Sequence, residues 1–257
     1  MIQDLNKFIL RKYMKSDKVT DAVIANYIAL HGADGKGGRV INCNIPLEYR
    51  FTMLHNSPAR EEQADIYKKL EVYVDSFKKQ FTETGVHDTK GQIKSVYLWS
   101  ENSGTGKTTT ASALANEFLA INYLGSLKRG LKPDETPVYF LDLNELQELY
   151  NRFNRSGISN EISEDASIEY YSRIEKAKKA KLVVFDDIGV RSATEAFRGD
   201  LHSLINYRVV NQLPNIYTAN HPITELATIY DARLYDRIKD LTLTLHFNGE
   251  SSRGVRR

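Results

Sequence analysis

Ser100-Glu101-Asn102-Ser103-Gly104-Thr105-Gly106-Lys107-Thr108-Thr109 is the stretch on which the reading of this chain turns. An alternating apolar run, Ser95-Val96-Tyr97-Leu98-Trp99, precedes it, and a helical pattern from Lys107 to about Tyr123 follows. Strand, glycine-rich turn and helix form the setting that a phosphate-binding loop needs. Backbone N–H groups of such a loop curl around phosphate oxygens, and the helix N-terminus adds its partial positive charge. Lys107 would then reach the β- and γ-phosphates, and the Thr108 hydroxyl would ligate Mg²⁺. Glu101 through Thr109 are therefore the expected nucleotide contacts. The strict pattern has Gly at position 101, where this chain has Glu101. A carboxylate aimed into the loop would repel a nucleotide; aimed at solvent, it would not.

A second stretch supports the first. Lys181-Leu182-Val183-Val184-Phe185-Asp186-Asp187-Ile188-Gly189 is a short apolar run closed by two carboxylates. Continuous apolar strands belong to parallel sheets buried on both faces, and their C-terminal ends meet in the ligand crevice. Asp186 is placed to hold Mg²⁺ through water, and Asp187 to orient and polarise the water that attacks the γ-phosphate. Read alone, the same residues are a strand ending in an Asx turn. The strand Ile216-Tyr217-Thr218-Ala219-Asn220 ends in an amide that either meets the γ-phosphate or simply begins the turn at His221-Pro222. Arg233 and Arg237 stand four apart on one helix face. Such a pair is either a solvated face with local Asp–Arg contacts or a source of positive charge for the phosphates of a neighbouring copy.

The rest of the chain sets bounds. At 257 residues and a formal charge of +2, bulk electrostatics favours no class of partner. Cys43 is the one cysteine, which excludes an internal disulfide and any multi-cysteine zinc site. His31 and His55 are not at ligand spacing with it, so no structural zinc is expected. Met1-Ile2-Gln3-Asp4-Leu5 does not begin a signal peptide, and no apolar run approaches a membrane span, so the expected compartment is the cytoplasm.

Periodicity predicts a small helical region over 1–36, with Ile2, Leu5, Phe8, Ile9 and Tyr13 at helical spacing. A second helix there carries Val19, Val23, Ile24, Tyr27 and Ile28 behind a Ser16-Asp17 cap. The glycine-rich run His31 to Gly38 reads as a flexible linker. Residues 37–94 supply that linker and a helical pattern from about Arg60 to Phe81. The α/β core over 95–257 alternates strands near 95–100, 137–142, 182–187, 215–219 and 241–247 with helices near 107–123, 143–154, 164–180, 194–211 and 230–239. Strands separated by helices imply a parallel sheet covered on both faces.

Taken in order, Gly-Thr-Gly-Lys-Thr-Thr, Leu-Val-Val-Phe-Asp-Asp-Ile-Gly, Tyr-Thr-Ala-Asn and Arg-Leu-Tyr-Asp-Arg-Ile resemble the DnaC/DnaI-type helicase loaders of the AAA+ class. The ending Leu-His-Phe-Asn-Gly-Glu-Ser is similar to the tail of those loaders and of IstB-like transposition ATPases. The resemblance covers about residues 45–252 and suggests a phage or mobile-element version. It implies an ASCE-type P-loop sheet of about five strands in the order 5-1-4-3-2, ATP and Mg²⁺ bound at a boundary between copies, and no C-terminal lid domain. By the same resemblance Asn220 matches the sensor 1 position and Arg237 a trans-acting arginine finger, with Arg233 in reserve. The implied partners are a hexameric replicative DNA helicase, single-stranded DNA, and further copies of this chain through the ATP site, with no membrane. Glu101 makes weak ATP affinity or slow turnover the expectation.

Two regions extend this reading. The apolar stripe of residues 2–13 either docks on the helicase, as a helix in a groove, or lies on its own ATPase body. Lys128, Arg129 and Lys132 cluster after the loop helix, and Tyr150, Arg152, Phe153 and Arg155 interleave rings with cations. That combination suits single-stranded DNA, where bases stack on rings and cations follow phosphates, and it also describes an ordinary solvated helix face. Three functions remain open: a slow ATP-hydrolysing helicase loader, an IstB-like ATPase acting on duplex DNA, and a non-catalytic adaptor that captures the helicase.

Overall fold

The computed structural model describes residues 8–13, 20–81, 92–157, 159–189 and 193–250. Its helices are α1 (Asp21–His31), α2 (Gly38–Asn42), α3 (Ala64–Asp75), α4 (Lys107–Lys128), α5 (Leu143–Asn154), α6 (Asn160–Lys179), α7 (Glu195–Val210), α8 (Leu226–Ile229) and α9 (Ala232–Asp240). Its strands are β1 (Ser95–Trp99), β2 (Val138–Asp142), β3 (Leu182–Asp186), β4 (Asn215–Ala219) and β5 (Thr242–His246). One five-stranded sheet has the order β2-β3-β4-β1-β5, which is the expected 5-1-4-3-2 read from its other edge. The β1–β4, β1–β5 and β3–β4 ladders are parallel, with Trp99 opposite Ala219 on one side and His246 on the other. Every residue of β3 and β4 is buried. That explains the continuous apolar run Leu182 to Phe185 in β3, since a strand covered on both faces gains nothing from alternation. β5, at the edge, buries only Leu245 fully. No helix among the described residues is long and apolar enough to cross a membrane.

The chain divides into two compact units, one of residues 1–92 and 109–140, the other of 93–108 and 141–257. In the first, Thr20 caps α1 by accepting from the Val23 N–H; Ser16, Asp17 and Val19 lie outside the described residues. The glycine run after α1 is a tight turn and not a flexible linker. The Gly37 N–H donates to the His31 carbonyl at 2.7 Å. A Cβ on Gly38, at φ 64, would stand 2.6 Å from the Leu30 carbonyl carbon, so only glycine fits. The helical pattern over 60–81 resolves into α3 followed by a 3₁₀ turn, Ser76–Phe81. The buried Phe77 ring meets Tyr73 and Phe118 edge-on, both at 5.1 Å.

The helix expected at the head is absent from its described part. Residues Arg11–Tyr13 form a 3₁₀ turn, and Phe8, Ile9 and Leu10 are buried. Within this unit Lys12 Nζ lies 3.2 Å and Tyr13 Oη 2.6 Å from the fully buried Glu117 carboxylate, which also accepts from the Leu54 N–H. Phe8 and Ile9 are therefore not free to present an apolar stripe to another protein; Ile2 and Leu5 lie outside the described residues.

In the second unit, Arg208 is fully buried without a carboxylate partner among the described residues. Its guanidinium donates to Asn215 Oδ1 and to the carbonyls of Ala177, Ala180 and Pro214 at 2.6–2.9 Å. Two of those carbonyls lie at the C-terminal end of α6, where a cation also answers the helix dipole. Burial pulls the Arg208 pKa down to about 10, which leaves it charged at neutral pH. Arg208→Met strands these acceptors in the interior and is expected to destabilise the protein by about 3 kcal/mol, read as a lower urea midpoint at unchanged slope. An unchanged midpoint would contradict this role.

Candidate nucleotide-binding site

The loop between β1 and α4 takes its shape from two glycines. Gly104 (φ 78) and Gly106 (φ 92) adopt left-handed backbone that side-chain-bearing residues rarely enter. The loop then runs into α4, whose first N–H groups have no partner within the helix. Lys107 is buried and folds back over the loop, donating to the Asn102 carbonyl at 2.8 Å and the Ser100 carbonyl at 3.5 Å. Its ammonium thus lies on the loop's own carbonyls, within a side chain's swing of any phosphate held there.

Glu101 turns away from the loop. Its carboxylate meets His246 Nε2 at 3.0 Å, and both side chains are substantially exposed. Its own backbone N–H, then His246, hold its carboxyl below the usual carboxylate range. His246 stacks on Trp99 with ring centroids 3.9 Å apart, and Asn102 Nδ2 donates to the Gly249 carbonyl at 2.9 Å. The residue that departs from the loop pattern therefore ties the loop to the end of β5, instead of repelling an anion from within.

The carboxylates at the end of β3 occupy different environments. Asp186 is buried, and its hydrogen-bond partners among the described residues are hydroxyls: Thr108 Oγ1 at 3.2 Å and Thr218 Oγ1 at 2.7 Å. Burial outweighs both hydrogen bonds and, with nearby Asp142 and Asp187, pushes its pKa up to about 6. Asp187 is half-buried in left-handed backbone, φ 61, and its N–H donates to Thr218 Oγ1 at 2.8 Å. Its two carboxylate oxygens are held by separate amides, Oδ1 by Asn220 at 2.9 Å and Oδ2 by Asn144 at 3.1 Å. Asn144 is itself fixed at the start of α5, where Asp142 caps the helix by accepting from the Asn144 and Glu145 N–H groups. Burial is the largest cause that raises the Asp142 carboxyl too.

Lys107, Thr108, Asp186, Asp187 and Asn220 thus converge within one unit, as their motifs require. Asn144 and Thr218 complete the arrangement and were not foreseen. Thr218 lay inside a strand already read as significant. Asn144 carried only a weak signal, a polar residue just past a strand end.

Arg233 and Arg237 lie exposed on α9, while Leu234 and Ile238 of that helix are buried. Arg237 donates to Asn206 of α7. Lys128 and Lys132 are exposed, whereas the Arg129 guanidinium lies 4.3 Å over the Phe81 ring. Arg152 and Arg155 are exposed at the end of α5. The Tyr150 and Phe153 rings are half-buried against each other and against Tyr170, at 5.2–5.6 Å, so their faces are already partnered by protein.

Solved structures resemble this fold, among them the following three. The crystal structure of DnaI matches with a TM-score of 0.53 at 22% identity, covering 81% of this chain and 94% of that one. That of the DnaC helicase loader matches at 0.52 and 17%, covering 78% and 99%. A DNA replication initiation factor matches at 0.50 and 14%, covering 77% of this chain and 49% of its own. No protein-family model and no curated protein sequence matches the chain. The chain thus shares its fold with DnaI, the DnaC helicase loader and a DNA replication initiation factor.

Oxygen donors with no cation between them suit a hard divalent ion, and Thr108 with Asp186 provides such a pair. Among the described residues no cluster of three or more His, Cys, Asp or Glu could hold a metal alone. That is compatible with Mg²⁺, which takes one or two protein ligands and draws the rest from phosphates and water. The folded-state pKa of Asp186 lies above its unfolded value of 3.8, so its contribution to stability is present below that value and lost as pH rises through about 6. Asp186→Asn is therefore expected to stabilise the metal-free protein at about pH 8 by up to about 3 kcal/mol, with the gain vanishing below about pH 4. Urea titrations across that range test it; a gain independent of pH would contradict the assignment.

Proposed function

We propose that the chain binds and slowly hydrolyses ATP, and that it delivers a hexameric replicative DNA helicase onto single-stranded DNA when replication starts. The observation that carries the first half is the convergence of Lys107, Thr108, Asp186, Asp187 and Asn220 behind a glycine-shaped turn at a helix N-terminus. Supporting the second half is the likeness in fold to DnaI and to DnaC, the latter a helicase loader.

In this reading the N–H groups around Gly104 and Gly106 receive the phosphate oxygens, and Lys107 exchanges the Asn102 carbonyl for the phosphates. Thr108 and Asp186 hold Mg²⁺, which when bound neutralises charge developing on the phosphates. Asp187 accepts the proton of the attacking water as its oxygen bonds to the γ-phosphorus and the bond to the β-phosphate oxygen breaks. Asn144 and Asn220 fix the carboxylate's aim, and Asn220 lies close enough to share that water. Arg237 reaches the γ-phosphate of an adjacent copy, which makes turnover depend on self-association. Hydrolysis then releases the loader from the helicase and performs no chemistry on DNA. Arg152 and Arg155 follow the strand's phosphates.

Light scattering of the chain mixed with the hexameric helicase of its source or host, with and without MgATP, tests the partner. A defined complex is expected, and its absence under both conditions contradicts the loader reading. Arg237→Ala should leave MgATP affinity unchanged and lower turnover of the assembled protein by about 10³-fold. Equal loss in dilute, dissociated protein would contradict a role in trans.

A further inference from the structure

The turn that carries Asp187 is gripped by a side chain for which the nucleotide reading has no use. His221 follows Asn220 at the end of β4. Its Nε2 lies 3.0 Å from the Ile188 carbonyl oxygen. Its Nδ1 lies 3.3 Å from Tyr97 Oη, a hydroxyl also 3.1 Å from the His221 carbonyl. Nδ1 also lies 3.4 Å from the Pro222 carbonyl oxygen, and the Tyr97 hydroxyl donates to the His221 carbonyl; Nε2, the nitrogen nearer to a carbonyl, carries the proton that bonds Ile188. The ring also lies directly on Gly189. A Cβ there would stand 2.0 Å from Nε2, and Gly189 itself has φ 104.

These contacts bear on a short piece of strained backbone. Asp187 (φ 61) and Gly189 (φ 104) both take left-handed conformations, and between them the Ile188 N–H donates to the Thr218 carbonyl at 2.8 Å. A non-glycine residue in that region costs free energy and persists only when its surroundings hold it there. The Thr218 hydroxyl holds the Asp187 N–H, the Thr218 carbonyl holds Ile188 from one side, and the His221 ring holds Ile188 and Gly189 from the other. Tyr97, from the centre of β1, braces the ring.

We infer that His221 is a positioning residue for water activation: it locks the Asp187–Gly189 turn so that the Asp187 carboxylate stays aimed, without itself touching nucleotide. Gly189 is its counterpart, the residue whose missing side chain lets the ring approach. The inference rests on the hydrolysis reading given above. A residue acting only through Asp187 changes the chemical step and leaves nucleotide affinity alone.

The test compares wild type with His221→Ala, His221→Gln and His221→Phe. It measures MgATP affinity, steady-state turnover and, in nucleotide-free protein, amide hydrogen exchange at residues 187–189. His221→Ala is expected to lower kcat by about 10- to 100-fold, the range that a misplaced reacting group costs, with affinity within about 2-fold of wild type. His221→Gln, which restores an N–H donor, should recover most of the rate, while His221→Phe, a ring without one, should not. Exchange should quicken in the Ala and Phe variants and stay slow in Gln. Unchanged turnover in His221→Ala, or a loss that Gln fails to restore, overturns the inference. Unchanged exchange shows that the ring does not hold the turn and overturns it independently of turnover. Wild-type protein that binds MgATP without hydrolysing it overturns the hydrolysis reading, and this inference with it.

Discussion

Asp186 is a carboxylate placed where a carboxylate is costly. It closes a strand whose every residue is buried, and it meets hydroxyls where a cation would satisfy it better. Each neighbour in the site is arranged around that fact. Thr108 comes to it from the first turn of α4, which fixes the glycine loop against the strand end. Thr218 comes from β4 and uses the same oxygen to hold the Asp187 N–H. One buried charge thereby registers the loop, the middle strand and the turn carrying the second aspartate. The raised pKa expresses the same tension, because burial disfavours the charged carboxylate.

The unit built on residues 1–92 and 109–140 follows a related rule, with several polar groups buried along α4 and bonded to other segments of the unit. Thr110 shares Tyr67 Oη with Ser57, Asn116 holds the carbonyls of Tyr49 and Thr52, and Asn122 reaches Gln80 and Asp134. Glu117 takes Lys12, Tyr13 and the Leu54 N–H. Buried polar groups left unpaired are expensive, so such a row specifies which segments lie against the helix more sharply than apolar contacts do. It also explains why α4 shows no clear apolar stripe in the sequence.

Much of this was legible in the sequence, for local reasons. The loop, the run ending in Asp186-Asp187 and the strand ending at Asn220 are short segments whose meaning depends on their own spacing, and each falls within a residue or two of its expected place. The strand order came from resemblance, since periodicity ranks no strands. What escaped was long-range. Glu101 and His246 are 145 positions apart, and Asn144 and Asp187 are 43 apart, so neither pairing leaves a local trace. The head misled because helical spacing of Phe8, Ile9 and Tyr13 also suits a short turn once Glu117 receives Lys12 and Tyr13. The glycine run from His31 misled likewise, because glycines that allow freedom also allow backbones to touch.

The measurement that bears most directly on the central claim is MgATP binding and hydrolysis by the purified chain beside Asp187→Asn. If Asp186 and Thr108 hold the metal and Asp187 activates water, the variant binds MgATP as tightly as wild type and loses turnover by about 10²-fold or more. Wild-type protein that fails to bind MgATP, or a variant that hydrolyses it at the wild-type rate, would contradict the account.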